Sequence, residues 1–319
     1  MTGYIPTLAQ ADELHQRLAP SQPAYDLIHT HCVIIATITR QLVRRQNALF
    51  ARRCTLPHDA PELTGNYDPL AGRLTNRVHK NHAAEDVKQS TGSVDSESAS
   101  FVRFMGADAS GTQDVGTSSS GTKPSDTAKS PRVTPAMLAH RITPVVPATD
   151  GVRGGMVPPR LLDENLAVVG AMLHDIGTYL VLKNDGSNGG KIQFDGPNYI
   201  LHGLRGYEWL IEQGVDESIA QFARNHTGVG LTREQVVAQR LKLPPDDYVP
   251  VNLEQEVVMV ADKYNSKSVP PRFLTAEAYA RKARRFGPPN ERAWRELVVK
   301  YGMPDIPSLA KHFDQKLEV

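Results

Sequence analysis

A His-Asp pair stands at the end of a segment that is otherwise built to be buried. His174 and Asp175 close the apolar run AVVGAMLHDIG, and Asp262 lies in a second apolar run, EVVMVADKY. An ionised carboxylate is costly to bury without a partner. Each aspartate therefore requires a nearby cation, either a basic side chain or a metal ion.

Three further histidines occur in comparable surroundings. His31 falls on or next to the apolar stripe of a predicted helix, while His202 lies in YILHGLRGYEWL and His226 in ARNHTGVGLT. Imidazole and carboxylate together suit Fe, Mn, Co, Ni or Zn ions better than Mg or Ca ions. Because six ligands exceed the needs of one tetrahedral zinc, we predict two divalent transition-metal ions sharing a bridging carboxylate. The predicted metal ligands are His31, His174, Asp175, His202, His226 and Asp262.

Each assignment has a purely structural alternative. His174 and Asp175 could form a hydrogen-bonded pair in the core, and a lysine or arginine of the bundle could neutralise Asp262. His202 and His226 could instead be turn or helix-cap residues. These alternatives compete with metal binding at every position.

The other histidines carry less information. His29 competes with His31 as the first ligand, but the two are only two residues apart and cannot share a helix face. We prefer His31 because of its spacing to the apolar stripe. The remaining histidines are predicted to be solvated: His15, His58, His79, His82, His140 and His312.

The order of these residues resembles the HD-domain superfamily of metal-dependent phosphohydrolases. Members share a histidine, a His-Asp pair and a distant aspartate, here His31, the HDIG string and the VADKY string. The resemblance is closest to uncharacterised HDIG proteins of archaea and bacteria, over about residues 24–45 and 161–285. The two later histidines resemble those of the dinuclear branch, which includes the diadenosine tetraphosphate hydrolases.

The resemblance implies hydrolysis of a phosphate ester or anhydride by metal-activated water, with His174 and Asp175 as catalytic residues. It also implies a small phosphorylated substrate, in particular a nucleotide. The alternatives are a non-catalytic metal- or nucleotide-binding protein and a di-iron oxygenase.

One position departs from the family pattern. In many relatives a lysine or arginine directly follows HDIG and binds the substrate phosphate, whereas this chain has Thr178. Phosphate would then be neutralised from elsewhere. Arg205, Lys263 and Arg272 are the candidates, since basic side chains match phosphate oxygens.

The elements that must position these residues are predicted to be helices, so the fold class is all-α. Predicted helices include Leu8–Leu18 after Thr7 as N-cap, then about 24–51, 165–182, 199–213, 217–225, 232–241, 253–266, 276–286, 291–301 and 306–316. Only the stretch 191–194 alternates weakly like a strand.

The predicted organisation is an HD-domain bundle interrupted by an insertion. Residues 1–23 form an N-terminal helix, and residues 24–85 and 160–319 form the bundle with its C-terminal helices. Residues 86–159 form a low-complexity, largely disordered insertion, because Ser, Thr and Gly dominate its central part and cannot supply a core.

Charge and hydropathy exclude some classes of partner. The formal net charge is +1, which gives nucleic acid or an anionic membrane no electrostatic attraction. No segment has the apolar length of a membrane helix, and the N-terminus lacks a basic start followed by an apolar run. We expect a cytoplasmic protein with no membrane contact.

Overall fold

The computed structural model describes residues 3–55, 66–68, 73–75 and 151–319. Within these ranges the fold is mainly helical, which confirms the predicted class. The predicted insertion lies largely outside the described residues, as do His58, His79, His82 and His140. No helix in the described ranges has the length and apolar character needed to cross a lipid bilayer.

The helices follow one another with short connections. In chain order the α-helices of the described residues are α1 (Leu8–Leu18), α2 (Gln22–Thr55), α3 (Glu164–Leu173), α4 (His202–Glu212), α5 (Glu217–Arg224), α6 (Arg233–Ala238), α7 (Leu253–Asp262), α8 (Ala276–Arg284), α9 (Pro288–Tyr301) and α10 (Ile306–His312). Two 3₁₀ helices, Ile176–Val181 and Gly196–Leu201, lie between α3 and α4.

Helix α1 begins where the sequence predicts, because Thr7 caps it. The Thr7 hydroxyl accepts the Gln10 backbone N–H, and the Gln10 side chain accepts the Thr7 backbone N–H in return. Helix α2 is longer than predicted at both ends. It runs through the middle of the hydrophobic core, where its buried residues meet α3 and α7.

The predicted helix 165–182 is wrong in its second half. Helix α3 stops at Leu173, and the chain tightens into the 3₁₀ helix Ile176–Val181. Gly177 at this bend touches α4 closely: a Cβ at Gly177 would lie 2.0 Å from the His202 carbonyl oxygen and 2.4 Å from the Gly206 nitrogen. Only glycine allows this approach. The crossing brings the start of α4 against the His-Asp pair.

Short strands replace the ends of two other predicted helices. Helix α7 stops at Asp262, and β6 (Asn265–Ser266) pairs antiparallel with β7 (Arg272–Leu274), which pairs in parallel with β9 (Lys316–Glu318). This strand pairing determines the path of the backbone after Asp262. The sequence had predicted that the helix would continue there as far as residue 266. Helix α10 likewise stops early, at His312, and β9 begins four residues later.

The remaining strands are two-residue or three-residue pairs. Strand β1 (Asn66–Asp68) pairs with β2 (Arg73–Thr75), β3 (Val152–Arg153) with β8 (Met303–Pro304), and β4 (Leu182–Asn184) with β5 (Gln193–Phe194). Strand β3 shows that the folded bundle includes residues 151–159, which the sequence analysis had placed in the insertion. Strand β5 lies in the stretch with strand-like alternation.

Candidate metal centre

The structure brings all six predicted metal ligands together. They come from separate elements: the first third of α2, the end of α3, the bend before the 3₁₀ helix, the start of α4, the residue pair after α5 and the end of α7. Five of the side chains are buried, and that of Asp262 is 14% exposed. They form two groups, in each of which the ligand atoms lie within 4.8 Å of one another.

The first group contains His31, His174, Asp175 and Asp262. The His31 Nε2 atom lies 3.2 Å from Asp175 Oδ2 and 3.1 Å from Asp262 Oδ1. The His174 Nε2 atom lies 3.7 Å and 3.4 Å from the same two oxygens. Two nitrogens and two oxygens thus converge on one point.

The second group contains Asp175, His202 and His226. The Nε2 atoms of His202 and His226 lie 3.5 Å and 3.6 Å from Asp175 Oδ1. Asp175 therefore turns one carboxylate oxygen to each group. This is the geometry that a bridging carboxylate between two ions requires.

Hydrogen bonds on the far side of each ring fix the orientation of the imidazoles. The Nδ1 atoms of His174, His202 and His226 donate to the carbonyl three residues earlier, at 2.7, 2.7 and 2.8 Å. His31 Nδ1 donates to Asn265 Oδ1 at 2.9 Å. Each Nε2 atom thereby faces the centre, where it can donate a lone pair to a metal when it carries no proton, as in proteins that bind metals through histidine.

The surroundings of three of these nitrogens favour a bound cation, whereas His31 Nε2 also has a hydrogen-bond partner in Asp262 Oδ1 at 3.1 Å. Burial lowers the pKa of His202 to about 3, so its ring is neutral near pH 7. Its Nε2 atom nevertheless lies 2.9 Å from Nε2 of His226, whose Nδ1 also carries the donated proton. These two nitrogens can bind one cation together as lone-pair donors. Within the described residues, His174 Nε2 also lacks a hydrogen-bond partner.

Both carboxylates are held in the ionised form. Burial alone would raise the pKa of Asp175, but the Lys267 ammonium and the surrounding histidines keep that pKa well below its usual value. For Asp262, burial is likewise overcome by Lys263 and by the imidazoles of the first group, and the pKa is again well below its usual value. The centre therefore offers two anionic carboxylates and four imidazoles.

A comparison with protein families identifies this domain. The family model described as HD domain matches residues 134–266, which contain five of the six converging residues. The chain therefore contains an HD domain, a type of domain that implies metal-dependent phosphohydrolase chemistry. His31 lies outside the matched residues, although the fold places it in the same centre.

Similar proteins carry different names. An uncharacterized protein of Methanocaldococcus jannaschii is 38% identical over 101 residues, which are 32% of this chain and 49% of that protein. Two proteins named tRNA (cytidine(56)-2'-O)-methyltransferase, from Picrophilus torridus and Thermoplasma volcanium, are 36% and 35% identical over 100 residues, 31% of this chain and 24% of each protein. The HD chain thus aligns with half or less of each relative. No solved structure matches it significantly.

Two lysines contribute to the HD centre, of which the sequence analysis had singled out one. Lys263 was a predicted phosphate ligand; its Nζ donates to Asp262 Oδ2 at 2.7 Å and to the His226 carbonyl at 3.0 Å. Lys267 was not predicted, yet its Nζ contacts Asp175 Oδ2. The predicted helix 253–266 would have carried Lys267 away from Asp262. Because α7 ends at Asp262 and the chain continues as β6, Lys267 lies next to the centre.

The other two predicted phosphate ligands lie elsewhere. Arg205 donates to the Leu180 carbonyl at 2.7 Å, and Arg272 donates to Ser268 Oγ at 3.0 Å and pairs with Glu318 at 3.4 Å. Neither lines the cavity beside the centre. Arg272 is drawn to the C-terminal strand because β7 and β9 are neighbours.

The competing histidine His29 belongs to a second buried polar cluster. Its Nε2 lies 3.1 Å from Asp12, and its ring stacks on Tyr25. His15 lies in the same cluster, so its predicted solvation is wrong: it is fully buried because it shares the inward face of α1 with Ala11. His312 is exposed, as expected.

A cavity opens beside the HD centre. Asp262, Lys263, Lys267 and Tyr199 line its inner end. Its outer walls are apolar and amide-bearing, formed by Ile192, Phe194, Val229, Leu231, Gln235, Val269, Phe286 and Asn290, among others. The centre is therefore accessible from one side, while its ligands remain embedded in the core.

Proposed function

We propose that this chain is a metal-dependent phosphohydrolase that cleaves a phosphate ester or anhydride bond of a small nucleotide. The observation that carries the proposal is the position of Asp175, whose two carboxylate oxygens each serve a separate group of histidine ligands. Such a site suits two divalent ions of the Fe, Mn, Co, Ni or Zn type.

When bound, the two ions would supply an activated water and would neutralise charge on the phosphoryl oxygens. The chain's own residues hold that arrangement rigid. Thr178 Oγ1 donates to Asp175 Oδ1 at 2.9 Å, which orients the bridging carboxylate. The His174 ring is fixed by its bond to the Ala171 carbonyl. Both proposed catalytic residues are therefore preorganised before any substrate arrives.

The two ends of the cavity favour a substrate that has an anionic part and a planar aromatic part. Its inner end carries the Lys263 and Lys267 ammonium groups, which suit phosphate. Its outer end offers the Phe194 and Phe286 rings, on which a planar base can stack, together with the amide of Asn290. A nucleotide combines these properties in one small molecule.

A small substrate is also favoured over RNA. Two relatives are named as enzymes that act on tRNA, but the aligned region covers 24% of each of them. The net charge of this chain is +1, which supplies no excess of positive charge for a polyanion. We therefore propose that the partner is a free nucleotide.

The test combines metal analysis with a screen for turnover. The purified 319-residue chain is loaded with Mn²⁺, Fe²⁺ or Co²⁺ and assayed for phosphate release from mononucleotides, dinucleoside polyphosphates and cyclic dinucleotides. We expect turnover of at least one class, and a loss of about a hundredfold or more in His174→Ala and in Asp175→Asn, as for loss of a metal or its bridging ligand.

The control is His312→Ala, which alters an exposed histidine outside the centre. Its turnover should match that of the unmodified chain. If the unmodified chain is no faster than Asp175→Asn on every substrate, catalysis of phosphate hydrolysis is rejected. Oxygen consumption by the iron-loaded protein would then indicate the oxygenase alternative, and metal binding without either activity would indicate a binding protein.

A further inference from the structure

We propose that Lys267 binds the phosphoryl group of the substrate and takes the role of the basic residue that is absent at position 178. The inference rests on the proposed function, since it assigns the anion-binding residue of the same site. Its basis is the placement of Lys267 between the bridging carboxylate and the cavity.

Position 178 has no capacity to bind an anion. The Thr178 side chain is fully buried, and its hydroxyl is used on Asp175 Oδ1 at 2.9 Å. It also lies on the 3₁₀ helix behind the bridging carboxylate and is not part of the cavity lining. A positive charge for the phosphate must therefore reach the cavity from another element.

Of the cavity lysines, Lys267 is the best placed to supply that charge. Lys263 is held by two acceptors, Asp262 Oδ2 and the His226 carbonyl. Lys282 lies 3.7 Å from Glu318, away from the centre. Lys267 instead contacts Asp175 Oδ2, the oxygen that also faces His31 and His174.

The position of the Lys267 ammonium depends on which other cation Asp175 Oδ2 contacts. The first ligand group would hold a divalent ion through the same Asp175 Oδ2, and the charge of that ion would repel a neighbouring ammonium. An anion in the cavity attracts both charges. Lysine is a point charge on a flexible four-carbon stem, so its Nζ can follow the phosphoryl oxygens without movement of the backbone.

The backbone of Lys267 is itself well anchored. The preceding residues form β6, in which Asn265 pairs with Phe273 and Ser266 with Arg272. Asn265 also accepts the His31 Nδ1 proton at 2.9 Å. The same short strand thus orients a metal ligand and presents the lysine, which couples phosphate binding to the metal centre.

The test measures binding of inorganic phosphate, independently of turnover. The full-length chain is saturated with Mn²⁺ and titrated with phosphate by calorimetry, alongside Lys267→Met, Lys267→Arg and Lys311→Met, in which Lys311 is an exposed control. We expect phosphate affinity to fall about tenfold or more in Lys267→Met, the factor for loss of one charge-assisted hydrogen bond. Lys267→Arg should recover part of it, and Lys311→Met should not differ from the unmodified chain.

A separate Mn²⁺ titration without phosphate distinguishes ligand binding from structural support. Lys267→Met should bind Mn²⁺ as tightly as the unmodified chain or more tightly, because a competitor for Asp175 Oδ2 is gone. The proposal is overturned if the phosphate affinity of Lys267→Met differs less than twofold from that of the unmodified chain. It is also overturned if Lys267→Met and Lys267→Arg both lose Mn²⁺ binding, or if the unmodified chain binds no phosphate. Lys267-dependent phosphate binding without nucleotide turnover would instead reject hydrolysis and retain this assignment.

Discussion

At the scale of single residues, the centre is organised by the two oxygens of one carboxylate. Asp175 Oδ2 faces His31 and His174, and Asp175 Oδ1 faces His202 and His226. Because the two groups share only Asp175, replacing a ligand of one group should reduce the metal content of that group alone. Replacing Asp175 should reduce the metal content of both.

We expect the unmodified chain to bind two equivalents of Mn²⁺ or Co²⁺ and His226→Ala to retain about one. The remaining ion belongs to the first group, which His226 does not join. Asp175→Asn should retain less than one equivalent, since both groups lose a charged ligand. Elemental analysis after gel filtration measures the content.

His312→Ala serves as the matched control and should keep both equivalents, because His312 is exposed. If His226→Ala lost both ions while it remained folded by circular dichroism, the two groups would not be separate sites. The bridging role of Asp175 would then be wrong.

The residues of the centre could be predicted because burying polar groups without partners is costly. Imidazoles and carboxylates inside apolar runs, such as His174 and Asp262, can be recognised from the sequence alone. Lys267 could not be found in this way, since it lies in a polar segment, NSKS, after a helix. Its position depends on where that helix ends, which tertiary pairing of β6 determines.

At the scale of elements, most helices could be predicted, but several of their ends could not, and two of these ends lie at the centre. Apolar periodicity predicts burial, and it does not distinguish an α-helix from the 3₁₀ helix Ile176–Val181. The contact of Gly177 with α4 and the pairing of β6 with β7 join residues far apart in sequence. Both corrections bear directly on the centre.

A second polar cluster attaches α1 to the two helices on either side of the His-Asp pair. His15 Nε2 donates to the Met172 carbonyl at 2.7 Å, and its Nδ1 accepts the Tyr179 hydroxyl at 3.0 Å. Burial, reinforced by the neighbouring His29, lowers the pKa of His15 to about 3. His15 is therefore neutral in the folded protein over the whole range in which an unfolded histidine becomes protonated.

The lowered pKa of His15 makes the folded protein less stable as the pH falls. The unfolded chain binds a proton at His15 below pH of about 6.5 and the folded chain does not, so folding is weakened as pH falls from about 6.5 towards about 3. At pH 5 the loss from this residue is about 2 kcal/mol. His15→Gln keeps a polar side chain but lacks the titrating group.

We expect His15→Gln to be less stable than the unmodified chain at pH 8, with a deficit that shrinks by about 2 kcal/mol at pH 5. Urea unfolding with a chelator at both values measures the difference without interference from metal binding. His312→Gln, at an exposed site, should show no such pH-dependent difference. A deficit in His15→Gln that is equal at pH 8 and pH 5 would exclude a buried neutral His15.

At the scale of the whole molecule, the centre joins segments from both sides of the chain's central region. His31 comes from α2, and the other five residues come from the part of the chain after residue 173. One continuous hydrophobic cluster surrounds them, with members from α1, α2, α3, α5 and α7. Ions bound at the centre would therefore add a further link between elements that already meet through apolar contacts and hydrogen bonds.

Metal binding should consequently stabilise the whole described bundle against heat. A ligand at a hundred times its dissociation constant contributes about 2.7 kcal/mol, which corresponds to a rise in Tm of roughly 5–10 °C for a chain of this size. Differential scanning calorimetry with Mn²⁺ or with chelator measures the shift. Asp175→Asn should lose most of it and His312→Ala should retain it, since only Asp175 belongs to both ligand groups. An equal rise in Asp175→Asn would mean that the stabilising ion binds outside the centre.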